Sequence, residues 1–89
     1  MRSRTTRRFR DSLSALPREV QRQARRAYER FEQDPYHSSL QFRRVHTVLP
    51  VYSARIGMHY RAVGIGENET LVWIWVGSHA DYDSLLAQL

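Results

Sequence analysis

The stretch from Val51 to Ser78, VYSARIGMHYRAVGIGENETLVWIWVGS, decides the fold. Three runs rich in β-branched and aromatic residues, 51–56, 60–65 and 70–76, are separated by Gly57-Met58-His59 and by Gly66-Glu67-Asn68-Glu69. Short runs of this composition, bounded by glycine and polar turn residues, read as strands. Connections this short leave no room for a crossover, so the strands must run antiparallel, as a meander. The last run, TLVWIWV, is continuously apolar, as expected of a strand covered on both faces.

Working upstream, residues 40–47 (LQFRRVHT) add a further strand that ends at Leu49-Pro50. Before it the periodicity becomes helical. Thr5 or Thr6 can cap a first helix carrying Phe9, Leu13 and Leu16 on one side. Pro17 suits the first turn of a second helix. In that helix Val20, Ala24, Ala27, Tyr28 and Phe31 form an apolar stripe. Arg18, Arg22, Arg25, Arg26 and Arg30 take the other side, with Glu19, Glu29 and Glu32 interspersed. Asp34-Pro35 ends it, because proline disfavours helix in the residue before it. The opening RSRTTRR carries no strand pattern. Downstream, Gly77 breaks the last strand and Ser78 opens a final helix, with Asp81 completing a capping box and Leu85, Leu86 and Leu89 on its apolar side. The expected architecture is α+β: an N-terminal helical hairpin packed on an antiparallel meander, with a short C-terminal helix, in a single domain over residues 1–89.

Composition sets the outer limits. The 89 residues include no cysteine, which excludes disulfide staples and thiolate metal sites. All fourteen cations are arginine, and the net charge of +5 points to an anionic partner. The longest apolar run, Leu71 to Val76, is too short to cross a bilayer as a helix. The basic N-terminus lacks the apolar segment of a secretory signal, so a cytoplasmic location is expected.

Strand register places the cations. With Gly57–His59 as the turn, Ile56 faces Tyr60 and Arg55 faces Arg61. Tyr52, Ala54, Ile56, Tyr60 and Ala62 then share the core face, and Ser53, Arg55, Arg61 and Val63 share the other. Two guanidiniums directly opposite each other are destabilising, and no acid lies between Asp34 and Glu67 to offset them. A bound polyanion would do so. Arg43, Arg44, His46 and His59 extend the same basic segment, as does His37. Pairing Ile65 with Thr70 sets Arg61 opposite Ile74 and His59 opposite Val76, and puts Trp73 and Trp75 together on the core face as packing residues. Whatever the exact register, residues 77–79 emerge beside the arginine pair.

His79 and Tyr82 lie three apart, on one side of the final helix. Beside two arginines they have what phosphodiester cleavage needs: a histidine to exchange protons near neutral pH and guanidiniums to stabilise charge developing on phosphate. In ribonucleolysis the 2′-hydroxyl can attack, so neither a protein nucleophile nor a metal is required. The chain has no HExxH, no glycine-rich phosphate loop and no acidic cluster, and no cofactor is expected.

Two helices, a meander containing Y-S-A-R-I-G-x-x-Y-R-A, an apolar strand and a closing G-S-H-A-D-Y-D together resemble the RelE/ParE superfamily of toxins from type II toxin–antitoxin modules. The resemblance runs from about Phe9 to Leu86. It implies a metal-independent endoribonuclease acting on messenger RNA, often within the ribosome. In it Arg55 and Arg61 hold the phosphate, His79 is the acid or base and Tyr82 assists; Arg43, Arg44, His46 and His59, from the basic segment, are the candidates for contact with RNA. RelE itself has a catalytic arginine at the position of His79 and a catalytic tyrosine at that of Leu85. The resemblance also implies a cognate antitoxin as partner. The other branch of the superfamily implies a second possibility, a non-catalytic member that poisons DNA gyrase in the manner of ParE. A third is a relic that only binds nucleic acid or an acidic antitoxin segment.

Overall fold

The computed structural model describes residues 1–89. The elements are β1 (Arg2–Thr5), α1 (Arg7–Ser14), α2 (Arg18–Gln33), a single 3-10 turn at Ser38–Leu40, β2 (Arg43–Arg44), β3 (Val51–Ile56), β4 (Tyr60–Glu67), β5 (Thr70–Ser78) and α3 (His79–Ala87). One five-stranded sheet runs in the order β1-β5-β4-β3-β2. The α+β class is as expected, with the helical hairpin on one face of the sheet and the short C-terminal helix on the other.

Local chemistry accounts for the helices. Thr6 caps α1, its hydroxyl accepting from the Phe9 amide at 3.1 Å. Ser78 caps α3 in the same way, accepting from Asp81 at 3.2 Å. In α2 the apolar stripe buries Val20, Ala24 and Phe31 against the sheet. Phe31 meets Phe42 and Trp73 edge-on, with ring centroids 5.0 and 5.4 Å apart. Around these rings lies the main core, which includes Phe9, Ala54, Ile56, Ala62, Leu71 and Val76. No helix is long and apolar enough to cross a membrane.

The structure departs from the sequence reading in four places. First, β1 exists. It pairs parallel with β5, Arg2 with Thr70 through Thr5 with Trp73. Ser3 turns inward and shares a hydrogen bond with the Tyr28 hydroxyl at 2.9 Å. Because β1 lies beyond it, β5 is an interior strand, in keeping with its apolar run. Second, the strand expected over 40–47 shrinks to Arg43–Arg44. Gln41 is left-handed, with φ 45°. Beyond Arg44 one further backbone bond, from the Val45 amide to the Val51 carbonyl at 2.8 Å, ends the ladder, and the Arg44 guanidinium donates to the loop carbonyls of His46, Val48 and Leu49.

Third, the β4–β5 register differs. Glu67 pairs with Thr70 around a tight turn in which Asn68 and Glu69 both have positive φ, 49° and 64°. The register then shifts once more between Val63 and Gly64: Gly64 pairs with Trp73 and Val63 with Trp75, leaving Ile74 as the extra residue of a bulge. One residue of slip turns side chains over. Trp73 therefore packs in the main core, while Trp75 joins Val51, Val63 and Tyr82 on the opposite face. Arg61 stands opposite Gly77, not Ile74. Fourth, Gly77 continues β5. A Cβ there would lie 2.7 Å from the Trp75 ring, so glycine is required for close packing and does not break the strand.

Candidate functional site

The β3–β4 hairpin has the expected register: Ile56 opposite Tyr60 and Arg55 opposite Arg61. Both arginines belong to the face on which α3 lies. Gly77 flanks Arg61 on the β5 side without a side chain, and α3 starts two residues further on. Its first amide, that of His79, donates to the His59 carbonyl at 2.8 Å. This bond fastens the helix start to the β3–β4 turn.

An open groove of about 680 Å³ results, lined by Arg43, Arg44, His46, Arg61, His79 and Tyr82, with Asp83 at its edge. Its size is in the range of small-ligand sites. Six of the eight expected site residues thus meet here; Arg55 and His59 do not line it. Arg55 folds back on its own hairpin, Nε donating to the Gly57 carbonyl at 2.7 Å. His59 is exposed at the turn and contributes its carbonyl. His37 lies away from the groove and organises the 3-10 turn, its Nδ1 accepting from the Ser39 amide.

Arg61 is the least satisfied charge in the groove. Nη2 donates to Gln41 Oε1 at 2.9 Å, whereas Nε and Nη1 are buried without any partner. No carboxylate pairs with it. Burial pushes its pKa below the usual guanidinium value; the positive charges of Arg43 and Arg55 act the same way, and Tyr82 and Asp83 oppose them. A guanidinium stays protonated at neutral pH regardless, so the groove wall holds a partly desolvated, unpaired positive charge.

His79 approaches Asp83 one helical turn along α3, Nδ1 to Oδ2 at 3.2 Å, with both side chains about half exposed or more. An exposed pair of this kind contributes little to stability. Its effect is orientation: a proton on Nδ1 donated to Asp83 leaves Nε2 as the nitrogen able to take up another. Tyr82 lies between Arg61 and His79. Its ring centroid is 5.7 Å from Arg61 Cζ and 5.8 Å from the His79 ring. The geometry gives Tyr82 a supporting place, because the residue is buried and its hydroxyl donates to buried Ser53 Oγ at 3.1 Å. Arg44 and His46 are also engaged internally. The Arg44 guanidinium faces loop carbonyls, as above, and His46 Nδ1 accepts from the amides of Val48 and Leu49. Arg43 is exposed and has no ion pair. No three His, Asp or Glu side chains cluster closely enough to hold a metal ion.

Three residues of the site were not singled out from the sequence: Asp83, Gln41 and Ser53. The four-residue spacing from His79 was a readable signal for Asp83. Gln41 is delivered by a left-handed backbone that no local pattern announces.

The sequence matches the family described as ParE-like toxin domain over residues 18–84. No sequence among curated proteins matches. Similar folds occur in solved toxin structures. One is a chain of the RelB-RelE antitoxin-toxin complex from Methanococcus jannaschii, at TM-score 0.71 and 13% identity, covering 91% of this chain and 95% of that one. YafQ from E. coli strain BL21(DE3) gives TM-score 0.71 at 8% identity, covering 92% and 98%. A YoeB/ParE toxin from Agrobacterium tumefaciens gives 0.66 at 15% identity, covering 89% and 99%. Identities this low establish the likeness of fold alone, whereas the sequence match extends over most of the chain. The chain belongs to the ParE-like toxin domain family, within the RelE/ParE toxin superfamily.

Proposed function

We propose that this chain is a RelE-like toxin that cleaves messenger RNA at the groove formed by Arg61 and His79. The observation that carries the reading is a guanidinium without a carboxylate partner, two of whose nitrogens, Nε and Nη1, are buried and unbonded, next to an exposed histidine whose Nδ1 is oriented by Asp83. In this mechanism Arg61 binds a phosphate of the scissile linkage, assisted by Arg43. His79 Nε2 accepts the proton of the 2′-hydroxyl, and that oxygen attacks phosphorus. The bond from phosphorus to the 5′-oxygen breaks, the departing oxygen takes a proton from solvent, and a 2′,3′-cyclic phosphate remains. Arg61 stabilises the charge gathering on the phosphoryl oxygens. Tyr82 holds Arg61 in place through its ring face. Arg55 acts through the hairpin's shape and charge, and the remaining basic residues Arg44, His46 and His59 frame the RNA path.

The partner that follows from this reading is a cognate antitoxin, since a similar fold occurs in an antitoxin-toxin complex. The setting is the cytoplasm, where messenger RNA and the ribosome are available. A second reading, a non-catalytic ParE-like poison of DNA gyrase, is favoured by two observations. The matching family is described as ParE-like, and of the two histidines in the groove His46 is engaged by loop amides, which leaves His79 alone for proton transfer.

Mapping messenger RNA ends after incubation with translating ribosomes separates the two. The wild-type chain is expected to produce new ends. His79→Ala is expected to slow their appearance by about 10²–10⁴-fold, the usual contribution of a general acid or base, and Arg61→Ala to reduce it as well. Intact RNA together with loss of supercoiling in a gyrase assay would establish the second reading.

A further inference from the structure

Gln41 is the only hydrogen-bond partner of the Arg61 guanidinium, its Oε1 accepting from Nη2 at 2.9 Å. The bond spans the sheet. Gln41 stands just ahead of β2, and β3 separates β2 from β4, which carries Arg61. The backbone that delivers Gln41 is well anchored. Leu40 and Phe42 on either side are buried in the main core. The Gln41 amide closes the 3-10 turn on the Ser38 carbonyl at 3.3 Å, and Arg30 Nη1 donates to Ser39 Oγ at 3.1 Å. Yet Gln41 itself is left-handed, with φ 45° and ψ 40°. That conformation is costly for a residue with a Cβ and free for glycine, which is favoured where a helical turn ends this way. The Gln41 side chain is exposed and makes no other hydrogen bond, so burial does not account for a glutamine here. Backbone strain of this kind gathers at functional sites.

We propose that Gln41 is a positioning residue for the groove: it fixes the Arg61 guanidinium through a neutral acceptor and leaves the second Nη2 hydrogen to meet phosphate. The proposal rests on the messenger-cleaving reading and deepens it. Nε and Nη1 of Arg61 are buried without partners, so they are not presented to a ligand. Nη2 is the nitrogen outside that set. Gln41 takes one of its hydrogens and the other stays free. The chemistry of the acceptor matters as much as its place. A carboxylate would orient the guanidinium equally well, but it would also cancel the charge that attracts phosphate. An amide carbonyl orients the group and leaves the charge whole.

Steady-state cleavage of a short single-stranded RNA by the wild type, Gln41→Gly and Gln41→Glu, with urea unfolding of each, tests this. Gln41→Gly suits the left-handed backbone and lacks the acceptor. Its urea midpoint should equal or exceed that of the wild type, while kcat falls about 10–10²-fold, the usual cost of a misplaced group. KM should stay close to the wild-type value, because the charge that attracts RNA remains. Gln41→Glu keeps the reach and pairs with the guanidinium. It should raise KM and lower the dependence of log KM on log salt by about 0.7, one phosphate contact on a single strand. The proposal is overturned if Gln41→Gly cuts as fast as the wild type, if it loses activity only in step with a lowered urea midpoint, or if Gln41→Glu keeps the wild-type KM and salt slope. Should the wild type cut no RNA, the messenger-cleaving reading fails by itself. Separate Arg61 Nη resonances in the NMR spectrum of the wild type that merge in Gln41→Gly would then still uphold the restraint, and resonances already merged in the wild type would overturn it.

Discussion

On the hairpin side of the sheet twelve buried residues form one cluster around Phe31, Phe42 and Trp73, whereas on the α3 side only Val51, Val63 and Tyr82 are buried together. The first face has an apolar interior beneath a cationic exterior. The second is half open and exposes arginines and histidines beside a thin apolar strip. The contrast shows how a chain of 89 residues can carry a polar site at all. Small domains have little burial to spare, so cohesion is concentrated on one face, and the other can tolerate an unpaired guanidinium and an open groove. The bulge at Ile74 makes this division possible by sending Trp73 to one face and Trp75 to the other.

Truncations on the two faces should therefore differ in cost. Phe31→Ala removes a ring that is only 2% exposed and packed edge-on against two others. Its expected cost is about 3–5 kcal/mol in urea unfolding, the usual range for buried phenylalanine. An equal loss from a truncation in the α3 cluster would erase the contrast.

Tyr82→Phe is the smaller counterpart. It keeps the ring and removes the hydroxyl that donates to Ser53, a residue with no exposure. The expected loss is about 1–2 kcal/mol, because Ser53 is left buried and unsatisfied. Cleavage by the folded variant should persist, since in this account the hydroxyl transfers no proton. A collapse in rate without loss of stability would return Tyr82 to direct chemistry.

Much of this organisation was legible in the residues. Thr6 and Ser78 announce their helices because a capping hydroxyl is a local requirement. The Arg55–Arg61 opposition follows from a short turn and the two-residue period of a strand. What escaped reading depended on distant partners. Arg2–Thr5 has no β signature of its own, and becomes a strand because β5 presents an edge to it. The uniformly apolar TLVWIWV hides its bulge, since alternation is the only sequence mark of facing and this run has none. The candidate site divided along the same line. The convergence of Arg61 and His79 was readable from topology. The engagement of Arg44, His46 and Tyr82 with their own surroundings was not, because it arises from a loop without periodic structure and from the inward turn of one hydroxyl.

The unpaired charge of Arg61 can be weighed directly by comparing the wild type with Arg61→Met in urea unfolding, with and without an RNA whose scissile 2′-hydroxyl is replaced by hydrogen. Without RNA, Arg61→Met should be more stable by about 0.2–1 kcal/mol, because a like charge opposite Arg55 is removed. With saturating RNA the order should reverse, since only the wild type gains the phosphate contact. A variant that is less stable when free, or one stabilised by RNA as much as the wild type, would contradict the assignment of Arg61 as the phosphate-binding charge of the groove.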